Sequence, residues 1–175
     1  MARARSCAGS VGGITKVSSR LVADARPPGA QLAGFIARFN PAIAKLVRAA
    51  RVRLRKRLPT AVELVYDNYN ALAIGYGPNE RTSEAIVSLA VYARGVNLYF
   101  LDGAHLPDPE GFLQGSGNRG RFVRLTDAAM IDSPTIVRLL RAAVDEADSP
   151  FSSTGRVRTV IKSVSARQRA RRPQP

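Results

Sequence analysis

Between Leu58 and Val62 the spacing of apolar residues changes period, and Pro59 stands at the break. Upstream, Leu32, Phe35, Ile36 and Phe39 recur at the i, i+3, i+4, i+7 intervals of one helix face. Downstream, Val62, Leu64 and Tyr66 alternate with Glu63 and Val65, the period of a strand. A helix stripe and a sheet face each need an apolar partner. Helices followed by closely spaced strands therefore confine the chain to few layered architectures.

Local backbone chemistry delimits the helices. The first covers about Gln31 to Phe39. Asn40 then caps a second, and Pro41 at the first helical position sacrifices no hydrogen bond. This second helix runs to about Leu58, where Pro59 stops it. Ile43, Leu46, Val47, Ala50, Leu54 and Leu58 fall within an arc of roughly 120°. Lys45, Arg48, Arg51, Arg53, Arg55, Lys56 and Arg57 fill most of the remainder and read as a solvated basic face.

Further strands are predicted over Ala71–Tyr76, Ala85–Tyr92, Val96–Leu101 and Arg121–Leu125, with a hairpin turn at Gly95. A short helix is predicted over Pro109–Gln114. A last helix starts at Ser133 and Pro134, carries Ile136, Val137, Leu140 and Val144 as its stripe, and ends by Asp148-Ser149-Pro150. The pattern predicts an α+β fold. Its mainly antiparallel sheet of about five strands packs against two N-terminal helices and one C-terminal helix. Residues 1–30 read as a flexible basic arm, with one helical turn around Val17 to Ala25. Residues 31–148 form the folded domain, large enough for its own core. Residues 149–175 read as a disordered Arg-rich tail, with local helix near Val160 to Gln168.

The net charge of +14 is uneven. Residues 149–175 hold seven basic groups (Arg156, Arg158, Lys162, Arg167, Arg169, Arg171 and Arg172) and no acid. Residues 1–30 hold five basic groups and one acid, and residues 31–148 hold 15 and 12. Such tails neutralise phosphates without sequence specificity. A bland reading competes, because 23 of the 27 basic residues are Arg, as a GC-rich coding sequence would give. The single Cys7 precludes an intramolecular disulfide and fits a cytoplasmic setting. No apolar run reaches the roughly 18 residues of a membrane span. The early arginines precede no apolar segment of about 7 residues, so no secretory signal is expected.

The stretch LVYDNYNALAIGYGPNERTSEAIVSLAVY (Leu64–Tyr92), followed by VNLYFLDGAHLPDPEGFLQGSG (Val96–Gly117), resembles the YdhG-like family of small bacterial domains. The resemblance covers about Leu32 to Ala147 and rests on the YDNYNA, LPDPE and LQGSG segments together. It implies a compact α+β domain without a known catalytic motif. One relative is described as a frataxin-like iron chaperone, so iron is implied by the resemblance alone. Where family members often continue LQGSG with Lys, this chain has Asn118-Arg119-Gly120.

Four constellations could carry chemistry. Tyr66, Asp67, Asn68, Tyr69 and Asn70 form a polar turn between two strands, either a small ligand site or Asx side chains capping local backbone. Gly115-Ser116-Gly117-Asn118-Arg119-Gly120 matches G-x-G-x-x-G, but a dinucleotide site needs a strand before it and a helix after it. What remains is an anion nest of backbone N–H groups beside Arg119, Arg121 and Arg124, or a plain connection. Asp102, His105, Asp108 and Glu110 are oxygen-rich donors with one imidazole, suited to iron(II) or manganese, or else a solvated acidic loop. The basic helix face and tails are the fourth. No serine has a G-x-S-x-G setting. The sequence reads as a non-enzymatic domain binding a small ligand or metal ion. The alternative is an accessory protein that binds nucleic acid nonspecifically through its tails.

Overall fold

The computed structural model describes residues 26–172. The elements are α1 (Pro28–Ala37), α2 (Pro41–Arg57), β1 (Val62–Asp67), β2 (Leu72–Gly77), β3 (Val87–Tyr92), β4 (Gly95–Phe100), β5 (Arg121–Leu125), α3 (Pro134–Asp145) and β6 (Arg158–Val164). Short 3-10 turns at Thr82–Glu84 and Ala128–Asp132 lie between them. The predicted caps form: Asn40 Oδ1 accepts from the Ala42 N–H at 3.0 Å, and Ser133 Oγ accepts from the Ile136 N–H at 3.3 Å. Among the described residues no helix is long and apolar enough to cross a membrane.

The sheet has six strands in the order β5-β4-β3-β2-β1-β6. β1 to β5 form an antiparallel meander, and β6 pairs in parallel with β1 on the far edge. The fold is thus α+β with a mostly antiparallel sheet, as the periodicity predicts. One sheet face carries Val65, Ile74, Leu89, Leu98 and Phe100, which pack with Leu32, Phe35, Val47, Leu54 and Leu140 of the helices in one buried core. Burying a side chain of this size contributes about 1.5–3 kcal/mol. The opposite face holds only a small cluster of Val62, Leu64 and Ala85, with Tyr66, Leu101 and Val160 around it, and no helix residue joins them.

Several expectations need correction. The segment expected as a disordered tail with local helix contains β6, which adds a sixth strand. None of its residues is fully buried, and its side chains bond to charged partners, Thr159 to Glu63 and Arg158 to Glu80. Such an edge strand leaves little trace in hydropathy. The N-terminal boundary moves too: α1 starts at Pro28, while the helical turn expected around Val17 to Ala25 lies outside the described residues. Pro109–Gln114 is not helical; Asp108 instead accepts from the N–H groups of Phe112 at 2.9 Å and Leu113 at 2.7 Å.

The largest correction concerns charge. Glu63, which alternates with Val62 and Leu64 in the sequence, is fully buried on the helix-facing side of β1. Arg51 grips it with two bonds of 2.7 Å, and Thr159 Oγ1 at 2.6 Å and the Tyr76 hydroxyl at 3.2 Å also donate to it. The basic face of α2 is therefore mostly engaged with the protein itself. Arg53 and Arg57 pair with Asp132, and Arg55 donates to the Val157 carbonyl.

Two outcomes test this network. Removing one partner of a buried ion pair leaves the other charge uncompensated, so Glu63→Ala should cost about 3–5 kcal/mol in chemical denaturation. Burial pushes the Tyr76 phenol well above the ordinary 10.0, and the neighbouring Glu63 carboxylate adds to the shift. Below pH 10.0 the phenol is neutral folded or unfolded, so its contribution is fully present. Above that pH only the unfolded chain ionises it, and stability falls as pH rises toward the folded value. Tyrosinate absorbance should accordingly show one of the five tyrosines titrating only with unfolding.

Candidate anion-binding cleft

The polar turn after β1 is built around Asp67, which is 1% exposed. Its carboxylate accepts from Arg171 at 2.8 Å, Arg38 at 3.0 Å and Gln168 at 2.5 Å. Arg38 also bonds Gln168. Asn68 gives its carbonyl to Arg171, and the Tyr69 carbonyl accepts from the Arg169 N–H. The Tyr66 hydroxyl bonds Thr82. Asp67 therefore has no free oxygen for a ligand; it anchors the chain's last described segment. Arg171, buried and stacked 5.3 Å over Phe39, has its Nε and Nη1 without partners. Two guanidinium groups share one carboxylate, and the excess is positive.

This anchoring draws residues 165–172 beneath the β1–β2 turn toward the β3–β4 turn. There a cleft of about 760 Å³ is lined by Asn70, Tyr92, Arg94, Arg169 and Arg172. No carboxylate lines it, and none pairs with these three arginines among the described residues. Arg172 donates to the Ala37 carbonyl at 3.3 Å, which fixes its side chain near the end of α1. Guanidinium groups stay charged at any ordinary pH and present fixed forks to phosphate or carboxylate oxygens. Tyr92 is 41% exposed beside them, and Tyr69, 55% exposed, extends from the same turn as Asn70.

Two separate sequence signals meet in this cleft, Asn70 from the polar turn and Arg169 and Arg172 from the basic tail. Tyr92 and Arg94 were not anticipated. Their only sequence signal is an aromatic and an arginine flanking the tight turn before Gly95. Of the other tail cations, Arg158 pairs with Glu80 and Arg171 with Asp67, while Arg156, Lys162 and Arg167 are exposed.

The glycine loop is not a nest for the three arginines. Arg119 forms a two-bond pair with Asp102 at 2.6 and 2.9 Å. Arg121 ties down the carbonyls of Gly117 and Gly120, and Arg124 turns away to the Arg94 carbonyl. β5 follows the loop, so no helix N-terminus faces it. Its glycines instead serve packing. Gly115 has φ of +110°, and a Cβ on Gly120 would lie 2.7 Å from the Tyr99 ring. That ring stacks on Phe122 at 5.6 Å.

The metal candidates also separate. Asp102 goes to Arg119, whose hydrogen bond holds its carboxyl below the usual range against the opposing effect of burial. Asp108 caps backbone, and Glu110 bonds Arg138 and Thr135. No group of three metal-binding side chains forms among the described residues, so these four do not fit an iron centre. Asp102 and His105 instead line a polar cleft of about 300 Å³ at the other end of the sheet, with Glu84, Arg119, Glu146 and Asp148.

Gly120→Ala should push Tyr99 off Phe122 and cost about 1–3 kcal/mol, as overpacking does. Gly117→Ala meets nothing within 4 Å and should stay within about 0.5 kcal/mol of wild type. Thermal unfolding of the two variants side by side checks the pair. Compared with family models, curated proteins and solved structures, the chain matches none.

Proposed function

We propose that this is a non-enzymatic, YdhG-like binding domain whose ligand carries phosphate and a planar base, a nucleotide in the chemical sense. The observation carrying this reading is the convergence of Arg94, Arg169 and Arg172 on one cleft without a carboxylate. Elsewhere nine arginines are paired to acids, whereas here three without a carboxylate meet at one cavity. Coding bias explains many arginines; it does not explain three facing one cavity unpaired. Tyr92 offers a ring for stacking, and the Asn70 carboxamide offers a donor and an acceptor for a base edge.

This reading relocates the ligand from Asp67 to the adjoining cleft and makes the tail part of the folded site. The iron reading gains no support from the dispersed carboxylates.

Titration calorimetry with ADP and with inorganic pyrophosphate tests it. Both should bind saturably, ADP more tightly. A charge-assisted hydrogen bond is worth about 1.5–3 kcal/mol, so Arg94→Ala or Arg169→Ala should weaken ADP by roughly 10- to 100-fold. Arg119→Ala, at the opposite end of the sheet, should leave binding unchanged. Equal affinity in wild type and the two cleft variants would refute the assignment.

A further inference from the structure

We infer that the ligand of this cleft is a segment of single-stranded nucleic acid, continuing from the arginines across the helix-free face of the sheet. The inference rests on the phosphate-binding reading above and adds the class of ligand. The core and its three helices occupy the other face of the sheet. On the helix-free face, Ala73 of β2 is paired with Ala90 of β3, and Gly75 with Ser88. Ala85 covers Gly75, where an added Cβ would meet its Cβ at 3.6 Å, so the low floor of this face is the strip of Ala73, Ala90 and Ser88 toward the cleft.

Aromatic rings border that floor. Tyr92 closes its cleft end, and the Tyr99–Phe122 stack stands on β4 and β5, partly exposed beneath the glycine loop. Tyr92 and Phe122 are two strands apart and four residues apart along the strand direction, about 16 Å at ordinary strand dimensions, the span of two to three nucleotides of an extended strand. Arg124, exposed, crosses the same face over Gly95, where an added Cβ would lie 3.2 Å from its guanidinium, and donates to the Arg94 carbonyl at 3.1 Å. It joins floor to cleft. By strand register this face presents no Asp or Glu from any of the six strands. Glu80, held by Arg158, and Glu84 sit at the far end of this face; toward the cleft its spaced rings and run of arginines are complementary to an unpaired strand. Bases stack on the rings and phosphates meet guanidinium groups. A mononucleotide would leave the floor and the distal rings unused, and a duplex keeps its bases stacked internally.

Fluorescence anisotropy on the full chain tests this, using labelled oligothymidylate of twelve nucleotides, a duplex of equal length, and ADP as competitor. The single strand should bind about tenfold tighter than the duplex and lose affinity with added salt. Ser88→Asp, partly exposed on this face four residues from Tyr92, and Asn97→Asp, which sets a carboxylate opposite Arg124 with almost no change of shape, should each weaken the single strand about tenfold. Both should leave ADP affinity intact. ADP binding with equal affinity for strand and duplex, or a strand affinity indifferent to both variants, overturns this inference and leaves the cleft assignment standing. Failure of ADP and the strand alike overturns both.

Discussion

Two buried carboxylates on one strand hold the layers of this protein together. Glu63 and Asp67 lie four residues apart on β1 and face the helices. Each takes one arginine from the helical layer, Arg51 from α2 and Arg38 just after α1. Each also takes partners from the C-terminal segment, Thr159 for Glu63 and Gln168 with Arg171 for Asp67. β1 is therefore the hub at which α1, α2 and β6 are registered against one another. A buried acid left without its partners is costly, so these contacts act as specificity as much as stability.

The hub makes the C-terminal segment part of the domain. β6 alone is weakly amphipathic and none of its side chains is fully buried. It is held by ladder hydrogen bonds to β1 and by Glu63, and beyond it Asp67 turns the chain under the sheet. Without that turn Arg169 and Arg172 would not reach Arg94. The anchor at Asp67 and the proposed site are thus consecutive outcomes of one electrostatic arrangement. Asp67 binds the protein so that its neighbours can bind something else.

Periodicity and capping were legible wherever apolar burial decides the structure. Pro41, Ser133 and the limits of β5 fall where the residues predict them, because caps and alternation are local signals. What was hidden is governed by long-range charge. Glu63 has the alternation of an exposed residue, and only the partners more than ten positions away make it internal. Arg51 looks like one more cation on a solvated face for the same reason. Residues 158–164 contain Thr159, Val160, Ile161 and Val164, a usable strand signal, but the surrounding arginines and serines read as a tail. The arginine cleft combines three distant segments, so no window of sequence contains it.

The charge distribution also sorts itself along the strand direction. At the end where β4 leaves the sheet, Glu84, Asp102, Glu146 and Asp148 surround a polar cleft with Arg119 and His105. Hydrogen bonds from Ser149, then Asn79 and Arg81, hold Glu84 below the usual carboxyl range, so it stays ionised. At the opposite end the three arginines face solvent without acids. An excess of acids at one end of the sheet and unpaired arginines at the other give an approaching anion a preferred direction, and electrostatic steering of this kind raises encounter rates. The net charge of +14 is therefore a poor description of the surface a ligand meets. Arginines bound to Glu63 and Asp67 organise the interior, and only those that find no acid are available to recognise a partner.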